Sequence, residues 1–214
     1  MADDPLALLD RVEAYEAIND TTTAVAGGSE RDDEFIGIWV PAISRRIDEL
    51  CGPVVIRTVT DERHDGGSGV VWLRRSPASS ITTVTEYLDG TATVLSAEED
   101  TTMPSDGYLL ETLGVTSFLY RRIAGRDASF PTGRNNVKVT YEAGRYADTA
   151  SVDAKFKMTA AAILRRLWSR EAGAWAAGGD PFAEAGQGQV RFHKTVDPMV
   201  REFLSDELRP PVVG

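Results

Sequence analysis

Apolar residues recur at three- and four-residue steps in three stretches of the chain. This spacing places side chains along one face of a helix. The pattern therefore predicts three amphipathic helices, which we expect to pack together as a helical core. Their predicted bounds lie near residues 5–19, 32–51 and 151–175.

Local signals predict where the first two helices begin and end. Asp4 and Pro5 are suited to the N-cap and the first turn of the first helix. Pro41 removes a backbone donor inside the second helix and predicts a kink or two helical pieces. Gly52, followed by proline, predicts the end of that helix, because glycine accepts the left-handed conformation of a C-terminal cap.

The middle of the chain changes to short runs rich in β-branched residues, separated by glycine-rich turns. This pattern is typical of strands. Asp89-Gly90 between two such runs predicts a tight hairpin turn. We therefore assign the fold class α+β: a helical core with an inserted small antiparallel β region and an extended C-terminal tail.

The domain organisation follows from these shifts in pattern. Residues 1–52 and 147–176 are expected to form the helical core, and 53–146 the inserted β region. Residues 177–214 are rich in Gly, Ala and Pro and are expected to form a C-terminal arm. Within this arm, Asp197-Pro198 and the apolar residues after it predict a short helix near 198–206.

Composition excludes several classes of protein. The chain has 214 residues and one cysteine, so it is not a small disulfide-stapled scaffold. It contains no apolar run of the roughly 20 residues that a transmembrane helix needs. The acidic start, Met1–Pro5, lacks the basic region of a secretory signal. We therefore expect synthesis and folding in a reducing cytosol and no membrane partner.

The net charge of −10 is concentrated at the start of the chain, where residues 1–50 carry 4 Lys and Arg against 12 Asp and Glu. A free nucleic-acid binder needs an excess of basic residues to displace counterions from phosphates. The charge therefore argues against specific binding of DNA or RNA.

Motifs for common catalytic and cofactor chemistry are missing from the sequence. One cysteine and two distant histidines do not form a zinc site, and we predict no catalytic, metal or cofactor site. The best catalytic candidate is His64 beside Asp65, as a general base oriented by a carboxylate. A polar turn is the favoured interpretation of this pair. Cys51, at a helix end, is expected to be a small buried apolar residue.

Two further charged groups have a structural and a functional interpretation. Glu98-Glu99-Asp100 is a possible cation site, although an ordinary acidic loop is favoured because no calcium-loop spacing follows. The Arg121-Arg122 and Arg165-Arg166 pairs either meet an acidic surface or form local salt bridges.

The order of elements resembles the head–tail connector (adaptor) proteins of long-tailed bacteriophages, which form a ring beneath the portal. Four features carry the resemblance: the acidic helix pair ending at Leu50–Pro53, the β stretch Val70–Pro77 with Ser80–Val84 and the Asp89-Gly90 turn, the strand Asn136–Gly144 leading into the third helix, and the ending Phe203–Pro211. The strand, with its V-x-V-x-Y-x-A-G pattern, is the strongest of them.

The resemblance implies a structural virion protein without enzyme activity. It would form a homo-oligomeric ring of twelve subunits at the head–tail junction, bound to the portal protein and to a downstream neck, stopper or tail protein. Genomic DNA would pass through the lumen during packaging and ejection without specific binding.

Three sets of residues are the hypothetical sites of such a ring. The acidic lumen-facing set is Asp32, Asp33 and Glu34. The subunit-interface set is Lys155, Lys157, Arg165 and Arg166, and the same charges could instead pair within one chain. The set for binding the portal or a neighbouring subunit is Arg191, Phe192, His193, Met199, Phe203, Leu204 and Arg209.

Other classes of protein remain open. Another phage neck protein, such as a stopper or tail-completion protein, would be expected to be mainly β. A small cytosolic enzyme would use His64 and Asp65. A monomeric binding module would keep its partners after removal of residues 177–214.

Overall fold

The computed structural model describes residues 6–18, 30–99, 103–176 and 196–208. The chain forms two compact units. One comprises residues 1–55 and 146–214 and is helical where described; we call it the helical unit. The other comprises residues 56–145 and contains the strands; we call it the sheet unit.

Four helices form the described part of the helical unit, and a single 3₁₀ turn follows them. Their bounds are α1 Arg11–Ile18, α2 Glu30–Cys51, α3 Ala154–Ala176, α4 over residues 196–203, and the 3₁₀ turn Ser205–Glu207.

Helix α1 begins later than the sequence pattern predicts. The Asp10 carboxylate accepts the Glu13 N–H at 2.8 Å, and the Glu13 carboxylate accepts the Asp10 N–H at 2.9 Å. This reciprocal capping satisfies two backbone donors that the first turn leaves without helical partners. The predicted cap at Asp4 and Pro5 lies outside the described residues.

Helix α2 runs through Pro41 as one element, so the predicted division into two pieces is wrong. Its predicted end is confirmed, since Gly52 has a φ of 90° and donates its N–H to the Asp48 carbonyl. The buried Asp48 carboxylate also accepts the Val54 N–H at 2.9 Å. Cys51 is fully buried beside this cap, as predicted.

The helical unit has one apolar core, to which all four helices contribute. The side chains of α4 are part of it, because Val196, Val200 and Leu204 are fully buried there. Arg46 on α2 pairs with Asp197 through two contacts of 2.7 and 2.6 Å. The short C-terminal helix therefore packs on its own chain.

The sheet unit contains eight strands in the order β1-β8-β3-β4-β5-β6-β2, with β7 also paired to β6. The strand bounds are β1 Arg57–His64, β2 Val70–Trp72, β3 Ala78–Leu88, β4 Thr91–Ala97, β5 Gly107–Leu113, β6 Thr116–Ile123, β7 Arg126–Asp127 and β8 Val137–Ala143.

The sheet is mixed, because β4 and β5 pair in parallel through Ser96–Gly107 and Ala97–Tyr108 while the other pairs are antiparallel. The predicted β3–β4 hairpin turn is confirmed. Asp89 and Gly90 have φ values of 49° and 80°, as a type I′ turn requires. Strand β1 at the sheet edge carries a bulge, a device that protects edge strands from unwanted pairing.

The predicted fold class of a helical core with a small antiparallel insert is wrong. Strands account for 35% and helices for 34% of the structure, and the sheet has its own apolar core. Its extent was underestimated because charged residues occupy buried positions on several strands. These positions, among them Glu86 and Arg121, interrupt the alternation that marks a strand with one buried face.

Candidate functional site

The strongest candidate site is an apolar surface on strands β2, β6 and β5. In the strand register Trp72 lies opposite Phe118, and Tyr120 lies opposite both Val70 and Leu109. Directly opposed residues share one face of a sheet. We call this surface the aromatic face; its members are Val70, Trp72, Leu109, Leu113, Phe118 and Tyr120.

The side chains of the aromatic face contact one another but stay open to solvent. The rings of Trp72 and Phe118 meet edge to face with centroids 5.4 Å apart, and Phe118 and Tyr120 lie 6.4 Å apart. Trp72 is 62% exposed, Leu113 59% and Leu109 37%. Contiguous exposed apolar side chains of this size mark a surface that binds another molecule.

Strand β6 shows why the face forms. Leu119 points into the core of the sheet unit and is fully buried, whereas Phe118 and Tyr120 on either side of it are only half-buried. Three consecutive large apolar residues in a strand give both faces apolar character. This run is the sequence signal that could have revealed the site, and our sequence interpretation did not use it.

Charged residues follow the aromatic face in the sequence and also lie within it. Arg74 and Arg75 follow Trp72 closely and are exposed. Glu111 lies between Leu109 and Leu113 on the same strand face and is also exposed. An apolar centre with a charged border is the usual composition of a protein–protein interface.

A second cluster joins Glu62, His64 and Tyr141 inside the sheet unit. Glu62 accepts hydrogen bonds from the Tyr141 hydroxyl at 2.9 Å and from the Arg74 N–H at 2.9 Å. His64 Nε2 lies 2.7 Å from Glu62 Oε1, without the alignment of a hydrogen bond. The Arg75 N–H donates to the Tyr141 hydroxyl at 3.0 Å.

Burial alone would raise the pKa of Glu62, but the contacts from His64, the Arg74 N–H and Tyr141 outweigh it and lower that pKa. Burial, together with the nearby charge of Glu62, raises the pKa of Tyr141 above its ordinary value. The cluster therefore holds an ionised carboxylate against a neutral phenol. These side chains fix the segment after β2 to β1 and β8.

The predicted pairing of His64 with Asp65 is not the arrangement in the structure. Asp65 Oδ1 accepts the backbone N–H of Asn135 at 2.7 Å, and the short contact of His64 is with Glu62. His64 is buried rather than exposed on a polar turn. The carboxylate that sequence reasoning missed lies two positions before the histidine, on the same strand.

Arg121 and Arg122 form local salt bridges within the chain. Arg121 is buried and pairs with Glu86 through two contacts of 2.9 and 2.8 Å, and with Asp106 at 2.8 Å. Arg122 pairs with Glu98 at 3.1 Å and also with Asp127. Glu98, considered as a cation ligand from the sequence, is therefore an ion-pair partner.

The C-terminal candidates separate into buried and exposed residues. Met199 and Leu204 are buried in the core of their own helical unit, while Phe203 is 51% exposed. The other members of the set predicted to bind the portal or a neighbour lie outside the described residues; they are Arg191, Phe192, His193 and Arg209.

Three of the basic residues proposed for a subunit interface have partners inside the chain. Lys157 pairs with Glu13 at 2.5 Å, and Lys155 pairs with Glu207. Arg165 Nε donates to the Ala17 carbonyl at 3.0 Å. Arg166 is exposed on α3. Helix α3 therefore uses these basic residues to hold α1 and the C-terminal turn.

The three acidic residues proposed to face a lumen have different environments. Asp32 is buried. Asp33 accepts hydrogen bonds from Arg11 and from the Tyr15 hydroxyl, and Tyr15 lowers its pKa. Glu34 is exposed. Of the set, Glu34 is the residue that offers its charge to the solvent.

Two searches of the described residues returned no candidate. Within these ranges, no group of three or more His, Cys, Asp or Glu side chains could hold a metal ion. None of the helices that the structure describes is both long enough and apolar enough to cross a membrane.

The chain was compared with protein-family models, with curated proteins and with solved structures. None of the three comparisons found a match. The geometry and the sequence patterns therefore carry the functional argument.

Proposed function

We propose that this chain is a structural assembly protein: a ring-forming adaptor of a tailed bacteriophage virion that joins the portal vertex of the head to the neck or tail. Its role is mechanical. The ring lets genomic DNA pass through its lumen and makes protein–protein contacts on both sides.

The order of elements supports this proposal. The V-x-V-x-Y-x-A-G sequence forms β8, whose residues Val137, Val139 and Tyr141 are all buried. Helix α3 follows after a short connection. This strand-to-helix passage is the strongest element of the resemblance to the connector family.

The aromatic face is the observation that carries the proposal. Large apolar side chains at a solvent-facing position are costly for an isolated protein, since burial of each stabilises by about 1.5–3 kcal/mol. A partner that covers Trp72, Leu109 and Leu113 recovers that free energy. In contrast, the buried ionisable residues Glu62, Glu86 and Arg121 are engaged inside the sheet unit.

A second candidate, another neck protein such as a stopper or a tail-completion protein, is favoured by the eight-stranded sheet. Such proteins are expected to be mainly β, and the strands here are as extensive as the helices. The two candidates differ in partner, because a stopper binds an adaptor ring rather than the portal itself.

An enzyme that uses His64 and Asp65 is a weaker candidate. The contact of Asp65 with Asn135 leaves it in no position to orient the imidazole as drawn from the sequence. His64→Ala tests this candidate. An enzyme of this kind requires that the variant lose its catalytic activity while it remains folded.

The proposal is tested by mixing the purified chain with the portal ring from the same genome and viewing the mixture by electron microscopy. The adaptor proposal expects the chain to cap the portal as a ring. Binding to a preformed adaptor ring, and not to the portal, would favour the stopper. A chain that binds neither would contradict both.

Truncation after residue 176 is a poor test of the C-terminal segment. Truncation removes Val196, Val200 and Leu204 from the core and would damage the helical unit itself. Phe203→Ala is the sharper test of the C-terminal segment, because this side chain is exposed. Loss of portal capping in this variant alone would make Phe203 a portal contact.

A further inference from the structure

We propose that the aromatic face of one copy of this chain packs against the acidic helical unit of a second copy. The inference rests on the proposed function in one respect, namely that copies of the chain assemble. It adds which two surfaces meet and which charges align them.

Charge distinguishes the two units. The sequence ranges of the helical unit, residues 1–55 and 146–214, carry 13 Lys and Arg against 21 Asp and Glu, a net charge of −8. Residues 56–145 of the sheet unit carry 10 against 12, a net charge of −2. Most of the negative charge therefore belongs to the helical unit.

Two exposed basic residues follow the β2 residues of the aromatic face in the sequence. Arg75 is exposed three positions after Trp72, and Arg74 beside it is exposed as well. Two positive charges at the edge of an apolar surface attract an acidic partner and orient its approach. The acidic part of the helical unit is residues 1–55, with 4 Lys and Arg against 12 Asp and Glu, and in a second copy it could receive these arginines.

Two helices of that unit present a matching pattern. On α1 the exposed Val12 lies one turn before the exposed Glu16, and on α2 the exposed Glu34 lies one turn before the exposed Ile38. Residues four apart share one face of a helix. Each helix therefore offers an apolar side chain beside a carboxylate, the complement of Trp72 beside Arg75.

The size of the aromatic face fits the centre of an interface. Three strands span about 10 Å, and the rise from Leu109 to Leu113 is about 14 Å. A standard interface buries about 800 Å² on each partner, so this face supplies the apolar centre and not the whole contact. The charged residues Arg74, Arg75 and Glu111 supply part of the rest.

A contact between two different surfaces has a consequence for assembly. Such heterologous contacts repeat from copy to copy and close into a ring or continue as a filament, whereas a surface that meets itself stops at a dimer. Pairing of Arg75 with a carboxylate of α1 or α2 favours the heterologous arrangement.

The test is sedimentation velocity of the full-length chain over a wide range of concentration, at low and at moderate salt. We expect self-association that weakens with added salt. Trp72→Ala and Arg75→Glu should each weaken it by about tenfold or more, as truncation at the centre of an interface does. Leu88→Ala is the matched control, because Leu88 is an exposed strand residue at the β3–β4 turn.

A charge swap identifies the partner surface. If Arg75 of one copy pairs with α2 of the next copy, the double variant Arg75→Glu with Glu34→Arg should regain part of the association that Arg75→Glu loses. If Arg75 pairs with α1 of the next copy, Glu16→Arg should be the change that restores association. Failure of both swaps would overturn the assignment of the helical unit as partner. Far-ultraviolet circular dichroism and thermal melting would establish that each variant is folded.

The inference and the proposed function fail separately. A chain that stays monomeric at every concentration, or whose association is unchanged by Trp72→Ala and Arg75→Glu, overturns this inference even if it caps the portal. A chain that assembles through the aromatic face but binds neither the portal nor an adaptor ring keeps the inference and contradicts the proposed function.

Discussion

The Tyr141 hydroxyl donates a hydrogen bond of 2.9 Å to Glu62 Oε2, and it accepts one of 3.0 Å from the Arg75 N–H. Tyr141 lies on β8 and Glu62 on β1, the strand paired with it. The phenol therefore joins the edge of the sheet to the chain segment after β2. The segment leading from Trp72 on the aromatic face is held in place by these buried contacts.

Tyr141→Phe should lower the free energy of unfolding by about 1–3 kcal/mol. The change keeps the ring but leaves the Arg75 N–H and one oxygen of Glu62 without their buried partner. Urea unfolding monitored by circular dichroism measures the loss. Tyr87→Phe, at a half-buried position on β3, controls for removal of a hydroxyl. If both changes lower the free energy of unfolding equally, the hydrogen bonds of the Tyr141 hydroxyl contribute no particular stability.

The ionised state of Glu62 gives the stability a defined pH dependence. The pKa of Glu62 is lowered in the folded state relative to an ordinary value of 4.5. Its contribution is therefore fully present above that value and is lost as the pH falls below it, toward the lower folded-state pKa. His64 and Tyr141 are the titratable side chains in contact with the carboxylate.

Glu62→Gln removes this titration. We expect the difference in free energy of unfolding between wild type and variant to shrink as the pH is lowered from neutral through the ordinary glutamate pKa. Urea titrations at a series of pH values measure that difference. A constant difference across the series would show that the Glu62 carboxylate is not the group involved.

Local signals predicted individual elements of the fold well. Gly52 ends α2 because only a left-handed residue allows that cap, and Asp89-Gly90 forms the β3–β4 turn for the same reason. The balance between helices and sheet was not predictable from such signals. Val84, Thr85 and Glu86 are consecutive and all buried, so β3 lacks the simple alternation expected of a half-buried strand.

The candidate site was predictable only in part. Phe118, Leu119 and Tyr120 in succession indicate a strand that is apolar on both faces, but the sequence does not reveal which face remains open. The partner of His64 was missed although Glu62 lies two residues before it and therefore shares its face of β1, because this segment was interpreted as a polar turn and not as a strand. The parallel β4–β5 pair, Ser96 with Gly107 and Ala97 with Tyr108, is not a hairpin, so no turn motif between the two strands could have indicated it.

The buried ion pair of Arg121 and Glu86 should be sensitive to the loss of one partner. Arg121→Met leaves the Glu86 carboxylate without its arginine in the sheet core and should cost about 3–5 kcal/mol, whereas Glu86→Gln should cost less because Arg121 keeps its contact with Asp106. Replacing both residues with apolar ones should cost less than the sum of the single changes. Denaturant unfolding of the two single variants and the double variant measures this coupling, and strict additivity would contradict it.

Leu204 and Phe203 are neighbours with opposite environments, and they separate packing from surface binding. Leu204→Ala should lower the free energy of unfolding by about 2–5 kcal/mol, because the side chain is fully buried in the helical unit. Phe203→Ala, at an exposed position, should change it by about 0.5 kcal/mol or less. Thermal and denaturant unfolding measure both, and similar losses would mean that α4 is not packed as described.

Gly66 is required by close packing between two loops of the sheet unit. Its N–H donates to the Gly133 carbonyl at 2.9 Å and to Asn136 Oδ1 at 2.8 Å. A Cβ at this position would lie inside van der Waals contact with the Pro131 carbonyl oxygen, which is backbone and cannot rotate away.

Gly66→Ala should therefore destabilise the sheet unit by more than the loss of glycine flexibility would predict, since the two loops must separate to admit the methyl group. Gly114→Ala is the control: its φ of 60° disfavours alanine, but no atom lies within 4 Å of the added carbon. Denaturant unfolding compares the two variants. A smaller loss of unfolding free energy for Gly66→Ala than for Gly114→Ala would contradict the tight packing of the two loops. The glycine-rich sequence would then have a different role.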